Sequence, residues 1–321
     1  MEYRRSGKSG LLLPVVTLGL WHNFGTNDNY HNMVDMLHTA FDNGITSFDL
    51  ANNYGPLPGA AEENFGRILK SDFAWHRDEM IITSKAGFKM WEGPYGEWGS
   101  RKYIMASINQ SLRRLQLEYV DIFYSHREDP NTPLEETMQA LADIVHQGKA
   151  LYIGLSNYSQ KGFEKACKIL KSLSRVPVVY QGKFSMLAQD DATDMIESVA
   201  KNNCGYAAYS PFAQGLLTNK YLNGVPESSR AASSSPFLHA NDITAERIAL
   251  LNQLNDIAKE RNQSLAQMSV SWLLSDKRMT SIVMGASSSD QIRDAIGSLS
   301  SVDFSKEERA KIDQITQQYW G

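Results

Sequence analysis

Four ionisable side chains stand at or just beyond the ends of short apolar runs in the first half of the chain. Asp49 lies within one such run, and Tyr54 follows it in a turn of Asn, Gly and Pro. Lys85 ends the next apolar run, and His126 follows the one after that. Singly, each has an ordinary structural interpretation: a capping Asp, a packing Tyr, a snorkelling Lys or a core imidazole. Four such groups after three neighbouring runs are hard to attribute to structure alone, and they predict a catalytic site.

A tyrosine beside a lysine is suited to donate a proton to a carbonyl oxygen. The phenol has a pKa near ~10 and is a poor donor at neutral pH, but a nearby ammonium group favours the phenolate and lowers that pKa. We expect Asp49 to pair with Lys85 and keep it charged, and His126 to hydrogen-bond and orient the carbonyl. Positioned acid catalysis contributes roughly 10²–10⁴-fold. The set therefore predicts carbonyl reduction with Tyr54 as the acid and a hydride from another source.

Eight short apolar segments alternate with helical segments along the chain. The predicted strands are Val15–Leu20, Ser47–Leu50, Met80–Lys85, Val120–Ser125, Leu151–Leu155, Val178–Gln181, Gly205–Tyr209 and Ser281–Met284. This alternation indicates parallel pairing, and eight units in 321 residues predict the α/β class and a (β/α)₈ TIM barrel. A doubly wound sheet is the alternative, but no strand is followed by the Gly-x-Gly-x-x-Gly turn of Rossmann domains. Because TIM-barrel chemistry sits where strands end, the four side chains should share one mouth.

Further segments flank the predicted barrel. Glu2 to Leu13 predicts an N-terminal β-hairpin, and Ala86 to Gly99 predicts a long aromatic loop over the C-terminal mouth. Ser210 to Asp242 predicts a second long irregular segment there. Thr132 to Glu135 resembles a capping box at the start of a helix. No linker divides the chain, so residues 1–321 are predicted to form one barrel domain.

The composition excludes several function classes. Hydrophobic residues make up 42% of the chain and the net charge is −4, with no long basic run of the kind that binds nucleic acid. Cys167 and Cys204 are far apart and the seven histidines are scattered, so no metal site is predicted. No apolar stretch reaches the roughly 18 residues of a membrane span, and no signal cleavage site follows Arg4 and Arg5. These features predict a cytoplasmic protein with neither nucleic-acid nor membrane partners.

Motifs along essentially the whole chain resemble the aldo-keto reductases. The matching stretches are Phe48–Gly55, Glu62–Gly66, Thr83–Lys85, Asp121–His126, Ile153–Tyr158, Tyr209–Leu217 and Gly285–Ser287. The wording of Ala51–Pro56 and of Met90–Gly96 is similar to one branch of that family. This branch holds bacterial L-glyceraldehyde 3-phosphate reductases and lies close to the β subunits of voltage-gated potassium channels.

The resemblance implies NADPH bound in an extended form across the barrel mouth, without a Rossmann fold. Ser156, Asn157 and Gln181 would hold the carboxamide, and Tyr209 would stack on the nicotinamide. The following loop would wrap the pyrophosphate, and the start of the last barrel helix would hold the adenosine end. The full implied set of cofactor residues is Trp21, Asp49, Ser156, Asn157, Gln181, Tyr209, Ser210, Pro211, Phe212, Ala213, Gln214, Gly215, Leu216, Lys220, Arg230, Gly285, Ser287, Ser289 and Gln291.

Two departures from the family pattern lie near the expected 2′-phosphate of the cofactor. Ser288 stands where the family often has Arg, and Ala295 where it often has Asn. Loss of the Arg removes a bidentate phosphate partner. NADH is therefore the alternative cofactor, although Arg293 is a candidate to replace the missing guanidinium.

The resemblance also implies small aldehydes, typified by L-glyceraldehyde 3-phosphate and methylglyoxal, as substrates. The residues that would meet the substrate are Trp21, Tyr54, Trp91, His126 and Arg127. Arg127, with Arg101 or Lys102, either binds a substrate phosphate or is a solvated charge, and the two interpretations are evenly balanced. Relatives in the family imply a homo-oligomer, a tetramer or an octamer.

Two other functions stay open. One is a cofactor-sensing subunit docked on a membrane protein, like the channel β subunits. Those subunits carry Asn at the position of His126, so His126 favours an active enzyme. The other is a reductase of a different carbonyl, such as a ketone, which the aromatic loop permits.

Overall fold

The computed structural model describes residues 1–189, 192–227, 229–232 and 238–317. The strands are β1 (Tyr3–Arg5), β2 (Leu12–Pro14), β3 (Val16–Gly19), β4 (Ser47–Asp49), β5 (Ile81–Ala86), β6 (Val120–Ser125), β7 (Ala150–Ser156), β8 (Pro177–Lys183), β9 (Gly205–Tyr209) and β10 (Met279–Met284). The helices are α1 (Tyr30–Asp42), α2 (Ala60–Asp72), α3 (Arg101–Leu115), α4 (Leu134–His146), α5 (Gln160–Ser172), α6 (Ala192–Lys201), α7 (Ala245–Glu260), α8 (Leu265–Leu274), α9 (Ser289–Gly297) and α10 (Lys306–Thr316).

Strands β3 to β10 form a closed parallel barrel in chain order. Strand β10 pairs with β9 on one side and with β3 on the other, where Ile282 lies opposite Val16. This closing pair confirms the (β/α)₈ barrel, and the alternative doubly wound sheet is wrong because that sheet would leave two open edges. Since all eight strands run the same way, their carboxyl ends meet at one mouth.

The N-terminal hairpin is confirmed and covers the opposite end of the barrel. Strands β1 and β2 pair antiparallel. Ser6 Oγ donates to the carbonyl oxygen of Val178 near the start of β8 (2.7 Å). Arg4 donates to the carbonyl oxygen of Met279 at the start of β10 (2.8 Å). The hairpin therefore seals the amino-terminal floor and leaves the mouth to the loops that follow the strands.

Several helices that surround the barrel begin at residues whose side chains cap the first turn. Ser100, Ser159 and Thr244 each accept a backbone N–H three residues on, at the starts of α3, α5 and α7. The prediction of a capping box at Thr132 is wrong. The N-cap of α4 is Pro133, without a side-chain cap, and the Thr132 N–H donates instead to Asp129 Oδ1 (3.2 Å). A nearby acceptor thus competes with the local motif.

Two apolar clusters pack on either side of the barrel wall. The larger one lies between the sheet and the helices, and includes Phe48, Phe65 and Ile108. The smaller one fills the barrel and includes Ile122 and Val283. The packed interior gives rigid support to the polar side chains at the strand ends. Among the described helices, none is both long enough and apolar enough to cross a membrane.

Candidate active site

Asp49, at the carboxyl end of β4, is the centre of a buried hydrogen-bond network. Its side chain is 2% exposed, and its Oδ2 accepts a hydrogen bond from Lys85 Nζ at 2.6 Å. Its Oδ1 accepts from Thr83 Oγ1 and from Gln181 Nε2, both at 2.9 Å. Strands β5 and β8 thus supply three donors to one carboxylate. A buried carboxylate needs such partners to stay in place.

Lys85, near the end of β5, is completely buried. Besides Asp49, its ammonium group donates to the Leu50 carbonyl oxygen at 2.8 Å and reaches the Tyr54 hydroxyl at 3.5 Å. It also lies 5.4 Å from the centre of the Tyr124 ring beneath it. Burial lowers the pKa of Lys85, while the charge of Asp49 opposes that shift. The ammonium group is therefore held at a fixed place beside the phenol of Tyr54.

The pKa of Tyr54 moves in the direction opposite to the sequence-based expectation. Burial raises this pKa well above its usual value of 10.0, and the charge of Asp49 raises it further. The expectation that Lys85 lowers the pKa is wrong for this structure, because burial of the hydroxyl dominates and the charge of Asp49, which lies nearer to the ammonium group, acts in the same direction. The phenol consequently keeps its proton at neutral pH, as a general acid must before it acts.

His126 lies at the mouth directly after β6 and is 6% exposed. Its backbone N–H donates to the Ala86 carbonyl oxygen at 2.9 Å, which fixes the end of β6 beside β5. Its ring lies edge-on to Tyr54, with the ring centres 5.8 Å apart. Burial holds the pKa of His126 well below 6.5, and the charges of Lys85 and Arg127 act in the same direction. The imidazole is therefore neutral at physiological pH and able to hydrogen-bond a carbonyl oxygen.

Aromatic side chains flank this group. The Trp21 ring lies 6.2 Å from the Tyr54 ring. Trp91 belongs to the lid loop (residues 87–99) and packs on Tyr103 at 5.3 Å. The Tyr103 hydroxyl donates to the Phe88 carbonyl oxygen at 2.5 Å. The lid loop is therefore anchored to α3, next to the proposed reaction site.

Arg127 follows His126 directly, but its guanidinium group is engaged within the protein. Its Nη2 donates to Glu97 Oε2 at 2.8 Å and its Nε to the Gly87 carbonyl oxygen at 2.9 Å. The guanidinium carbon lies 3.5 Å from the centre of the Trp98 ring. The side chain is 21% exposed. Neither of the two balanced interpretations, a phosphate ligand or a solvated charge, describes these contacts.

The two other predicted phosphate partners also have neighbours. Arg101 forms an ion pair with Asp143 on α4 at 2.5 Å. The Lys102 ammonium group lies 5.2 Å from the centre of the Tyr95 ring. Both residues lie in the first turn of α3, directly after the lid loop.

Asn157 connects two other residues assigned to the nicotinamide end of the cofactor, Ser156 and Tyr209, with the backbone of His126. Its Nδ2 donates to the His126 carbonyl oxygen at 3.0 Å and to Ser156 Oγ at 3.1 Å. Its Oδ1 accepts a hydrogen bond from the Tyr209 hydroxyl at 2.8 Å. The residue adopts a left-handed conformation, with φ 53°, which Asn tolerates better than most residues. Gln181, the other predicted carboxamide ligand, bonds Asp49 in this structure.

The loop after β9 contains several residues in the left-handed conformation. They are Ser210, Ala213, Gln214 and Gly215, with φ of 58°, 44°, 63° and 95°. Ser269 on α8 anchors this loop by donating to the Pro211 carbonyl oxygen at 2.7 Å. Within the loop, the Ala213 N–H donates to the Ser210 carbonyl oxygen at 3.0 Å and the Gly215 N–H donates to the Phe212 carbonyl oxygen at 2.8 Å. Lys220 is exposed farther along, and the side chain of Arg230 lies outside the described part of the structure.

The start of α9 is a second candidate site for an anionic group. Ser289 Oγ is buried there without a hydrogen-bond partner in the described part of the chain. Ser288, the N-cap, makes no side-chain cap, and the Ser287 N–H donates to Gln291 Oε1 at 2.9 Å. A helix N-terminus favours phosphate, so these residues fit the adenosine end of a dinucleotide. Arg293, the candidate substitute for the missing family Arg, pairs with Asp290 at 2.9 Å.

Three residues of the site escaped the sequence analysis. Thr83 holds Asp49, and Tyr124 lies beneath Lys85. Thr83 stands two residues before Lys85, and Tyr124 stands two residues before His126. Because side chains two apart on a strand point to the same face, strand periodicity places both inside the barrel. That signal could have identified them. Glu97, which binds Arg127, carries no signal because it lies in an irregular loop.

Comparisons with known proteins identify the family that the chain resembles along its length. The profile of the Aldo/keto reductase family matches residues 15–317. A protein named L-glyceraldehyde 3-phosphate reductase, from Escherichia coli O157:H7, is 50% identical over 318 residues, which cover 98% of this chain and 92% of that protein. The protein of the same name from Escherichia coli strain K12 shows the same identity and coverage.

Proposed function

Because this chain belongs to the aldo/keto reductase family and is an oxidoreductase, we propose that it reduces small aldehydes to alcohols with Tyr54 as the proton donor and NADPH as the cofactor. L-Glyceraldehyde 3-phosphate is the first candidate substrate, since it names the two relatives reported above, and methylglyoxal is a second, smaller aldehyde with three carbons and no phosphate. The observation that carries this proposal is the line from buried Asp49 through buried Lys85 to the partly buried Tyr54, with a neutral His126 beside it.

Each of the four residues has one task in the proposed reaction. A bound nicotinamide supplies the hydride that reaches the carbonyl carbon. Tyr54 gives its hydroxyl proton to the carbonyl oxygen, and the phenolate that forms lies 3.5 Å from the Lys85 ammonium group. Asp49 keeps that ammonium group charged and fixed. A neutral His126 orients the carbonyl oxygen by a hydrogen bond and leaves the proton transfer to Tyr54.

The raised pKa of Tyr54 is compatible with this role. It keeps the phenol protonated until a substrate oxygen with growing negative charge accepts the proton. Lys85 then stabilises the phenolate in a site from which water is largely excluded, where an ion pair is stronger than in water. The cofactor would be held by Ser156, Asn157 and Tyr209 at its nicotinamide end and by the start of α9 at the other.

The proposal is tested by following NADPH oxidation spectroscopically with L-glyceraldehyde 3-phosphate and with methylglyoxal. Wild type is compared with Tyr54→Phe, which removes only the hydroxyl. We expect turnover by wild type and a loss of kcat of at least about 10²-fold in the variant. NADPH titration, followed by protein fluorescence, should give similar affinities for both proteins.

Two results would count against the proposal. Undiminished turnover in Tyr54→Phe would remove Tyr54 from the mechanism. NADPH binding without turnover of either aldehyde by wild type would favour a cofactor-sensing subunit or a different carbonyl substrate. Running NADH in parallel measures the coenzyme preference in the same experiment.

A further inference from the structure

The guanidinium group of Arg127 joins the two ends of the lid loop. At the start of the loop it donates to the Gly87 carbonyl oxygen and covers the Phe88 ring, with the guanidinium carbon 4.4 Å from the ring centre. At the end of the loop it pairs with Glu97 at 2.8 Å and lies 3.5 Å from the centre of the Trp98 ring. One side chain therefore holds residues that are about ten positions apart in a loop without regular structure.

The same contacts reach His126. The Phe88 ring lies between Arg127 and His126, with its centre 4.6 Å from that of the imidazole and the two planes at 87°. Gly87 packs closely on the other side, since a methyl group there would lie 3.0 Å from His126 Cβ. The orientation of the imidazole thus depends on where the first two residues of the lid loop lie.

Uncharged backbone contacts across the loop and contacts at its end also hold the lid loop. The Trp98 N–H donates to the Gly87 carbonyl oxygen at 3.0 Å. The Gly99 N–H donates to Asp129 Oδ2 at 2.9 Å, and Thr137 Oγ1 donates to the Gly99 carbonyl oxygen at 2.7 Å. The first of these contacts is between uncharged backbone groups, and the other two involve only the end of the loop. Arg127 adds a charge pair and two aromatic faces that connect both ends of the loop to the residue next to His126.

We propose that Arg127 is a positioning residue, which fixes the lid loop against His126, and not a ligand for a substrate phosphate. The proposal rests on the proposed aldehyde reduction. A guanidinium group that turned toward a phosphate would leave Glu97 without its partner and uncover two aromatic rings. Arg suits the present role because its planar group stacks and donates at the same time, which a Lys ammonium group cannot do.

A pair of substrates separates the two roles. Glyceraldehyde and L-glyceraldehyde 3-phosphate share the reacting aldehyde and differ in the phosphate. Loss of a phosphate ligand raises KM for the phosphorylated aldehyde alone. Loss of a positioning residue lowers kcat for both, because a shift of about 1 Å in an aligned group can cost about 10²-fold.

Arg127→Met retains the apolar stem and removes the charge and the donors. We expect it to lower kcat by about 10- to 100-fold on both aldehydes, with the ratio between them within about twofold of wild type. Arg127→Lys should recover only part of this loss, and Glu97→Gln should lower kcat in the same direction. A loss confined to the phosphorylated aldehyde, or no loss on either, would overturn the proposal.

Arg261 provides a matched control for loss of stability. Its guanidinium carbon lies 3.6 Å from the centre of the Phe304 ring, and its Nη1 pairs with Glu308 at 2.7 Å, at the end of α7. Arg261→Met therefore removes the same kinds of contact away from the mouth. We expect it to lower the free energy of unfolding without lowering kcat. Equal kcat losses in the two Met variants would mean that Arg127 acts only through global stability.

The pH profile adds a readout that a purely structural role would not change. The charged or titratable groups that face His126 are Lys85 from β5, Tyr54 from the loop after β4, and Arg127 itself. Removing the Arg127 charge should raise the pKa of His126 and move the acidic limb of kcat/KM to higher pH. Arg127→Lys retains a charge and should leave the acidic limb of kcat/KM at nearly the same pH as in wild type.

Hydrogen–deuterium exchange tests the positioning role without any turnover. Amides of the lid loop should exchange faster in Arg127→Met than in wild type and in Arg261→Met. If wild type reduces neither aldehyde, the proposed function fails and this measurement still decides whether Arg127 holds the loop. Unchanged exchange in the loop would overturn the proposal.

Discussion

Lys85 Nζ lies 2.6 Å from Asp49 Oδ2, and both side chains are removed from solvent. A buried ion pair is costly to desolvate, so it is weak evidence of stabilisation as such. The position of this ion pair gives a better reason for its presence. Asp49 and Lys85 lie at the ends of two neighbouring strands and place an ammonium group within reach of Tyr54. The carboxylate also explains why the phenol keeps a raised pKa. The two residues should therefore behave as one unit when they are substituted.

Replacing one partner of this pair should cost more than replacing both. Lys85→Met leaves Asp49 buried with only Thr83 and Gln181 as donors, and should lower the free energy of unfolding by about 3–5 kcal/mol. The double variant with Asp49→Asn should be more stable than Lys85→Met alone, because no uncompensated charge is left. Urea denaturation of wild type, both single variants and the double variant measures the coupling. Additive losses would show that the two charges do not depend on each other.

His126 should make the protein less stable in mild acid. Its pKa in the folded state lies well below its ordinary value of 6.5, so below that pH the unfolded chain binds a proton that the folded chain does not. The free energy of unfolding should then fall as the pH falls through 6.5 toward the folded pKa, by at most about 1.4 kcal/mol per pH unit. His126→Asn should reduce this slope in urea denaturation between about pH 7.5 and pH 5. Identical slopes would show that the imidazole titrates normally in the fold.

The coenzyme preference should respond to Ser288. An Arg at this N-cap would add a charge-assisted hydrogen bond to a 2′-phosphate, worth about 1.5–3 kcal/mol. Ser288→Arg should therefore tighten NADPH binding by about 10- to 100-fold and leave NADH nearly unchanged. Fluorescence titration with both cofactors measures this, with Arg293→Gln as the control because Arg293 pairs with Asp290. If NADH binding tightens as much as NADPH binding, the new guanidinium group contacts a part of the dinucleotide other than the 2′-phosphate.

The strands were predictable because each is a short apolar run that ends at a polar residue or a turn. Val120–Ser125 and Gly205–Tyr209 agree with the structure at both ends. The position of Lys85 and His126 beside Tyr54 followed from the parallel barrel, where strand ends meet. Local patterns and topology were sufficient for these features.

Other features depend on contacts between distant segments. Arg127 binds Glu97, 30 positions earlier, in a loop whose path no periodicity predicts. The pKa direction of Tyr54 depends on burial and on which partner lies nearer to Lys85, and neither can be read from the order of residues. The failed cap at Thr132 has a local cause instead, since the carboxylate of Asp129, three residues earlier, competes for its N–H.

Asn157 allows the backbone and the side chain to be tested separately. Its φ of 53° is unfavourable for Ala and not for Gly, whereas both substitutions remove the hydrogen bonds to Tyr209, Ser156 and the His126 carbonyl oxygen. Asn157→Ala should be less stable than Asn157→Gly by roughly 0.5–1 kcal/mol in urea denaturation. Both should weaken NADPH binding to a similar extent, by about fivefold, because loss of one hydrogen bond near Tyr209 costs about 1 kcal/mol. If only the Ala variant binds weakly, the left-handed backbone rather than the amide orients the nicotinamide end, and the role proposed for the Asn157 side chain is wrong.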